Sequence, residues 1–423
     1  MIDTKETFIS NHREPGLDDS EANVPTASVR DVLTEGLLHK IMLFFHLPAN
    51  WPMGAMILVA GVFVFLAALP WWWLWGLPTA LAVAGMHILF LGDDAALFIT
   101  LPQKQISFGP WQSQAVVLAV PRTLVAAGTA VIGLWLGWQW AMALNVLLQL
   151  AGSAALFWGA VIEPFRLGLS EINISVDRMP AGTRPIRILH ISDVHIERLT
   201  QREEEALHLA NIAEPDIILI TGDYVNLSYN RDPVTHAQVR QFLSQLAAPY
   251  GVYATLGSPP VDLPEEVAPL FDNLPVRLMR HDWETVDLEH GRSLTLVGMD
   301  CTHHLPTDRA RLADLMTAVP NHAPQVFLFH SPELMPEASQ HGLDLYLCGH
   351  THGGQVRLPL IGPILTSSQL GRKYVMGLYK NGRTHLYVSR GIGLEGLSAP
   401  RVRFLAPPEM TLITLKARGK SES

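Results

Sequence analysis

Two kinds of apolar pattern divide this chain. From Ile41 to Gly92 there is no Asp, Glu, Lys or Arg, and a second uncharged stretch runs from Thr123 to Ile162. Each is long enough to cross a bilayer twice at about 20 residues per span. The first breaks at Pro70-Trp71-Trp72-Trp73-Leu74-Trp75-Gly76-Leu77-Pro78 and the second near Gly137-Trp138-Gln139-Trp140. The pattern predicts four membrane helices, near 52–71, 77–95, 115–137 and 140–162. After residue 167 the apolar runs shorten to those of buried strands in a covered sheet. Strands are expected at 171–176, 216–221, 251–256, 294–299, 325–329, 343–348, 385–389 and 410–416, with helices at 201–212 and 234–246. Helices alternate with strands early and strands dominate late, which argues for a layered α/β sandwich rather than a simple doubly wound sheet. Residues 1–29 are polar and Pro-containing without apolar period, so a mobile tail is expected over 1–35, a membrane domain over 36–166 and a catalytic domain over 167–423. The N-terminal residues lack the pattern of a cleavable signal peptide.

Topology follows from the flanks. The two short connections carry tryptophans (Trp71, Trp72, Trp73, Trp75; Trp135, Trp138, Trp140), which favour the headgroup level. Both hairpin tips are therefore expected at one interface. Lys40, Lys104 and Arg166 flank the other side, which the positive-inside rule assigns to the cytoplasm of a cell's inner membrane, and an even number of spans returns the chain there. Arg122 falls inside the third apolar run and is expected to snorkel or to pair with Asp93 or Asp94.

Composition agrees with this division. Of 423 residues, 48% are hydrophobic and only 16% charged, which is high and low respectively for a soluble protein. A net charge of -9 supplies no broad basic field, so nucleic acid is not an expected partner. The two cysteines, Cys301 and Cys348, exclude a disulfide framework, and Cys348 reads as a buried hydrophobe within a strand.

The chemistry gathers just past the short strands. Asp193 and His195 follow 187–192, Asp223 follows 216–222, His330 follows 325–329, and His350 and His352 follow 343–349. Ligands collect beyond the carboxyl ends of strands in such sheets. Hard carboxylates with imidazoles suit two divalent ions such as manganese, zinc or iron. Alternation at Asp193/His195 and at His350/His352 lets both members of each pair point one way.

These motifs resemble the calcineurin-like metallophosphoesterases, in the membrane-associated bacterial branch that includes pyrophosphatases acting on UDP-diacylglucosamine. The resemblance covers about Ile162 to Lys416. It is carried by Ile162-Glu-Pro-Phe, Leu189-His-Ile-Ser-Asp-Val-His, Ile220-Thr-Gly-Asp-Tyr, Gly349-His-Thr-His-Gly-Gly-Gln-Val-Arg-Leu-Pro, Tyr387-Val-Ser-Arg-Gly-Ile-Gly and Arg403-Phe-Leu-Ala-Pro-Pro-Glu-Met-Thr-Leu-Ile. It implies an α/β/β/α sandwich. It also implies one ion on Asp193, His195, Asp223 and His352, with Asp223 bridging to a second on His330 and His350. Asp223, His350 and His195 become the catalytic candidates for water attack on phosphorus in a phosphoester or diphosphate. A membrane lipid phosphate or a lipid-linked nucleotide diphosphate is the implied substrate.

The chain departs from the family at one place. Members usually carry Gly-Asn-His-Asp or Gly-Asn-His-Glu, where Asn ligates the second ion and His assists the leaving group. Here the residues are Gly257-Ser258-Pro259-Pro260. Asp262, His281, His303 and His304 are the possible substitutes, and loss of the general acid predicts a rate deficit of roughly 10²–10⁴ for poor leaving groups. The alternative expectation is a weakened domain that binds metal or ligand without turnover. A second unusual stretch, Leu358-Pro-Leu-Ile-Gly-Pro-Ile-Leu365, is followed by Arg372 and Lys373. It reads either as a buried loop or strand pair or as an acyl-chain wall or membrane-dipping lip. Arg357, Arg372 and Arg390 are the candidates for phosphate contact.

Overall fold

The computed structural model describes residues 37–289 and 291–418, so the expected N-terminal tail lies outside the described residues. Four long helices lead: α1 Met53–Trp75, α2 Leu77–Thr100, α3 Trp111–Leu136 and α4 Trp138–Phe157. All four are long and apolar enough to cross a membrane. A short helix, Leu37–His46, precedes them.

The helices touch through small side chains. Ala67, Ala80, Ala126, Ala130 and Ala141 are buried with Val83 and Trp71, so backbones approach closely where hydrophobic burial gives little drive between helices. Not every tryptophan faces outward from the bundle. Trp73, Trp135 and Trp140 are exposed, but Trp71 is fully buried. Its indole donates to the Ala126 carbonyl at 2.8 Å, and Trp75 donates to Ala130 at 3.0 Å. The α1–α2 tip is thereby pinned to α3 beside the α3–α4 tip, so both hairpin tips share one end of the bundle.

Arg122 takes the pairing option. It holds both oxygens of Asp94, at 2.5 and 2.6 Å, and reaches Gln149 Oε1 and Ser153 on α4. In a bilayer such a polar set survives only when every member is satisfied.

Among the described residues fourteen strands follow: β1 Gly168–Val176, β2 Ile186–Ile191, β3 Ile217–Ile220, β4 Val252–Ala254, β5 Val276–Leu278, β6 Asp282–Asp287, β7 Ser293–Gly298, β8 Gln325–Leu328, β9 Leu345–Cys348, β10 Arg357–Leu358, β11 Gly362–Pro363, β12 Gly377–Asn381, β13 Thr384–Val388 and β14 Glu409–Ala417. Two six-stranded sheets run in the orders β1-β14-β2-β3-β4-β5 and β12-β13-β9-β8-β7-β6, and β10 and β11 form a separate ribbon. The period-2 alternation of each strand explains the layering. Ile188, Ile217 and Leu219 meet Leu296, Val326, Leu328, Leu345 and Leu347 between the sheets. The intervening Leu189, Ile191, Ile218 and Ile220 pack under helices 201–212 and 233–243. On the far side Val297, Phe327, Tyr346 and Val388 are covered by helices 305–316 and 335–340. The expected α/β/β/α sandwich is what forms. Each buried Leu or Ile contributes about 1.5–3 kcal/mol.

The sequence pattern missed β5, β6, β12 and the 305–316 helix. β6 and β12 close the two ends of the second sheet and β5 closes an end of the first; their partly exposed faces give no clean apolar run. β2 to β5 are mutually parallel, as are β7, β8, β9 and β13. Both sheets therefore deliver strand carboxyl ends to a common edge.

Replacing Arg122 by Ala leaves Asp94 buried without its cation. The thermal midpoint of the protein in nanodiscs should fall, reflecting a loss of about 3–5 kcal/mol. The double variant Arg122→Met with Asp94→Leu, which removes both charges, should recover most of it.

Candidate metal centre

The six expected ligands occupy adjacent strand ends at the seam between the sheets. Asp193 and His195 follow β2, Asp223 follows β3, His330 follows β8, and His350 and His352 follow β9. All six are buried. Two groups of donors lie close enough to hold a cation each, Asp193–His195–His352 and Asp193–Asp223–His330. The groups are contiguous: His330 Nε2 is 3.2 Å from Asp223 Oδ2 and His195 Nε2 is 3.5 Å from the same oxygen. His350 approaches from the Ser258 side, with its Nδ1 3.3 Å from Ser258 Oγ.

Backbone geometry aims these side chains. Asp193 (φ 49°), His195 (45°), Asp223 (58°), His350 (72°) and His352 (51°) all adopt left-handed conformations. Non-glycine residues there cost of order 1–3 kcal/mol each and persist only where the surroundings enforce them. Here each strand turns sharply at its end and points a donor into the seam. The approach is so close that a Cβ on Gly349 would sit 1.9 Å from Asp193 Oδ2, so glycine is the only residue that fits.

Hydrogen bonds to the rear nitrogens assign the tautomers. His330 Nδ1 donates to the Thr221 carbonyl at 2.7 Å, leaving Nε2 free to bind. His195 Nδ1 lies 3.2 Å from the Val225 carbonyl and 3.0 Å from Glu395 Oε2. Its Nε2 then faces His352 Nε2 at 3.1 Å, two imidazole nitrogens aimed at one point. Among the described residues, Asp193 Oδ2 and His330 Nε2 are buried without a hydrogen-bond partner. A carboxylate oxygen and an unprotonated imidazole nitrogen both offer lone pairs, which a cation would satisfy, so the donor set fits divalent metal.

Without metal, protons fill that role. Burial disfavours a charge on His195, but Glu395 and then Asp223 outweigh it and raise the pKa to about 9. Burial likewise opposes charge on His330, yet Asp223 and Asp193 lift it to about 10. For Asp223, His330 and then His195 overcome burial and hold the carboxyl well below the usual range. Burial keeps His350 neutral, lowered to about 4.

The sequence reading overlooked Glu395. It sits in a loop beyond β13 with no periodic signal, and its backbone is clasped by the Gln355 side chain at 2.8 and 3.0 Å. Its neighbour in function is Arg403, buried behind His352 and donating to the carbonyls of Arg390, Gly391 and Gly393. Of the four possible substitutes for the lost Asn-His pair, His303 lies beside His350, with ring centroids 5.1 Å apart. Asp262 instead accepts from the backbone amides of Asp223, Tyr224 and Gly257, which fixes the loop. His304 contacts Thr307 and His281 contacts Arg311. The three arginines are not drawn into the donor cluster. Arg357 donates to the Gly353 carbonyl, Arg372 to the Ile361 carbonyl, and Arg390 is held by Glu409 at 2.5 Å.

Two outcomes follow for the centre. With the pKa of His195 raised to about 9 and that of His330 to about 10, binding Mn²⁺ must release their protons, and affinity should rise with pH toward about 10; titration calorimetry in buffers of different ionisation enthalpy reads that release directly. Glu395→Gln, which removes the charge behind His195, should weaken metal binding about 10–100-fold while leaving the fold intact by circular dichroism.

Residues 186–354 match the calcineurin-like phosphoesterase family. The uncharacterized metallophosphoesterase YkuE of Bacillus subtilis is 30% identical over 263 residues, covering 60% of this chain and 88% of that protein. The phosphodiesterase YaeI of Escherichia coli is 28% identical, covering 55% of this chain and 82% of its own length. The UDP-2,3-diacylglucosamine pyrophosphatase LpxG of Chlamydia muridarum is 23% identical, covering 60% and 91%. The chain thus belongs to the calcineurin-like phosphoesterase family of metal-dependent phosphoester hydrolases.

Proposed function

We propose that this protein is a membrane-anchored hydrolase that cleaves a phosphoester or diphosphate of a lipid or lipid-linked nucleotide at the cytoplasmic face of the inner membrane. The carrying observation is the pair of contiguous buried donor groups, Asp193–His195–His352 and Asp193–Asp223–His330. Asp193, His195 and His352 would hold one ion and Asp223, His330 and His350 a second, with Asp223 positioned between the two sets. Bound there, two divalent ions supply Lewis acidity at phosphorus and lower the pKa of an attacking water.

The chain's own residues do the rest. Asp193 and Asp223 supply the negative charge that sets the centre. Glu395 and the Val225 carbonyl fix His195, and the Thr221 carbonyl fixes His330. His303, beside His350, is the imidazole that would assist the leaving group in place of the one Pro259 lacks. A diphosphate, whose leaving phosphate needs little protonation, is the substrate class least harmed by that loss.

Proximity to the bilayer supports a lipid substrate. The α2–α3 connection donates from Phe108 N to Glu197 Oε2 at 2.9 Å, two residues past His195, and Tyr229 donates to the Phe108 carbonyl at 2.6 Å. A relative at 23% identity is named for a lipid-linked nucleotide diphosphate, which agrees with this reading. Lys104 and Arg166, at the catalytic-domain end of the bundle, support a cytoplasmic orientation.

Ser258 favours a second reading. Its amide donates to Asp223 Oδ1 at 2.6 Å, and its hydroxyl lies 3.4 Å from Asp223 Oδ2 and 3.3 Å from His350 Nδ1, where an Asn ligand would act. A hydroxyl binds a divalent ion poorly, so the domain could bind metal or ligand as a regulatory module with little turnover. The test is metal content and phosphate release with Mn²⁺ across lipid phosphates and nucleotide-diphosphate lipids. The enzyme reading expects release by the natural chain and a drop of at least ~100-fold in Asp223→Asn. Release only by the triple variant Ser258→Asn, Pro259→His, Pro260→Asp supports the module, and purified protein with no transition metal above trace refutes both.

A further inference from the structure

The stretch Leu358–Leu365 is not buried. Leu360 is fully exposed at the tip with φ 66°, and Leu358, Ile361, Ile364 and Leu365 are each between 40% and 60% exposed. Five large aliphatic side chains on one short ribbon, β10 and β11, form a patch that a water-facing surface does not normally carry.

Three observations identify what covers it. The first is its base. Val356 bridges Phe404, and Arg357 N donates to the Phe404 carbonyl at 2.9 Å. The next residue back, Arg403, donates from N to the Gly159 carbonyl at 2.9 Å, two residues past the end of α4. The ribbon is therefore one extended segment away from a membrane helix. Gly159 is packed so tightly there that a Cβ would lie 3.0 Å from the Arg403 carbonyl.

The second is apolar continuity. Trp158 and Ile162, on the last turns after α4, are exposed, and Leu405, next to the bridging Phe404, is exposed as well. The lipid-facing surface of the bundle thus runs on through residue 405 toward the ribbon. The third is charge. Arg372 and Lys373 are exposed, and Arg372 Nη1 donates to the Ile361 carbonyl at 3.1 Å. Arg166 lies over the Trp158 ring at 5.6 Å. Apolar tips backed by cations and an aromatic–arginine pair are the composition of a segment at the headgroup boundary.

We propose that Leu358–Leu365 inserts into the same phospholipid leaflet that the neighbouring helix ends cross, with Leu360 and Ile361 among the acyl chains and Arg372 and Lys373 at the level of the lipid phosphates. This rests on the reading of α1–α4 as membrane spans. The insertion bears on the centre because the ribbon is clamped to the ligand loop. Arg357 donates to the carbonyl of Gly353, which follows His352, and a Cβ on Gly354 would sit 2.2 Å from Pro363. A lipid phosphate at the level of Arg372 would then be presented to the centre without leaving the bilayer.

The test is the depth of a nitroxide attached at Leu360→Cys in the full chain, in nanodiscs of phosphatidylcholine and phosphatidylglycerol. Cys301 and Cys348 are buried and should stay unlabelled. Asn381→Cys, at the end of β12 remote from the metal centre, is the water reference, and Leu66→Cys, exposed midway along α1, is the bilayer reference. The ratio of oxygen to nickel-chelate accessibility should be several-fold higher at 360 than at 381 and approach that at 66. A lipid-like value at 66 with a water-like value at 360 overturns the insertion alone. Water-like values at both overturn the span reading and the insertion with it. Dipolar broadening at 360 without oxygen exposure means that a second copy covers the ribbon, which also overturns the proposal.

Discussion

Two carboxylates buried side by side set the terms for the rest of the catalytic domain. Asp193 is wholly inaccessible and Asp223 nearly so. Anions in that position cost several kcal/mol each unless cations or hydrogen-bond donors surround them. The compensation comes from both sheets. Asp193, His195 and Asp223 stand on the first, and His330, His350 and His352 on the second. The His350 amide also donates to Asp193 and the Ser258 amide to Asp223. Closing the sandwich and assembling the centre are therefore one event, and each sheet supplies what the other leaves uncompensated.

The same closure sustains unfavourable backbone. Five of the six donor residues sit in the left-handed region, where a free chain would not remain. They stay because the inter-sheet core of Leu296, Val326, Leu345 and Ile188 locks the strands from which they turn. Gly349 and Gly391, which both close on Asp193, remove the Cβ atoms that would hold the two sheets apart at this edge. Rigidity of this kind keeps the donors converged before an ion arrives, which is the state that binds metal tightly.

The junction with the helices is built from the same material. Glu197, just past His195, accepts from Phe108 of the α2–α3 connection and pairs with buried Arg401. Glu163, just past α4, accepts from Ala406 at 2.7 Å. The helical bundle is thus bonded to segments that lead directly to His195 and to the loop carrying Glu395. Anchor and centre are joined through paired, buried groups rather than by a free linker, so the domain's orientation to the bilayer is fixed by the fold.

Much of this was legible along the chain. Long uncharged runs are satisfied as helices in lipid, and short apolar runs ending in Asp or His read as strands with polar ends, so the candidate spans, the layered sheets and the six candidate donors were visible in local pattern. Pairing of Arg122 with Asp94 rather than Asp93, burial of Trp71, the place of Glu395 behind His195, the engagement of Arg390 by Glu409 and the exposure of the 358–365 ribbon did not. Each depends on which distant segment arrives opposite a residue, and local periodicity carries no information about that. Side-chain chemistry set which residues could bind a cation; only the meeting of two sheets decided which of them stand close enough to do so together, because a charge's cost and its partners are properties of the space around it.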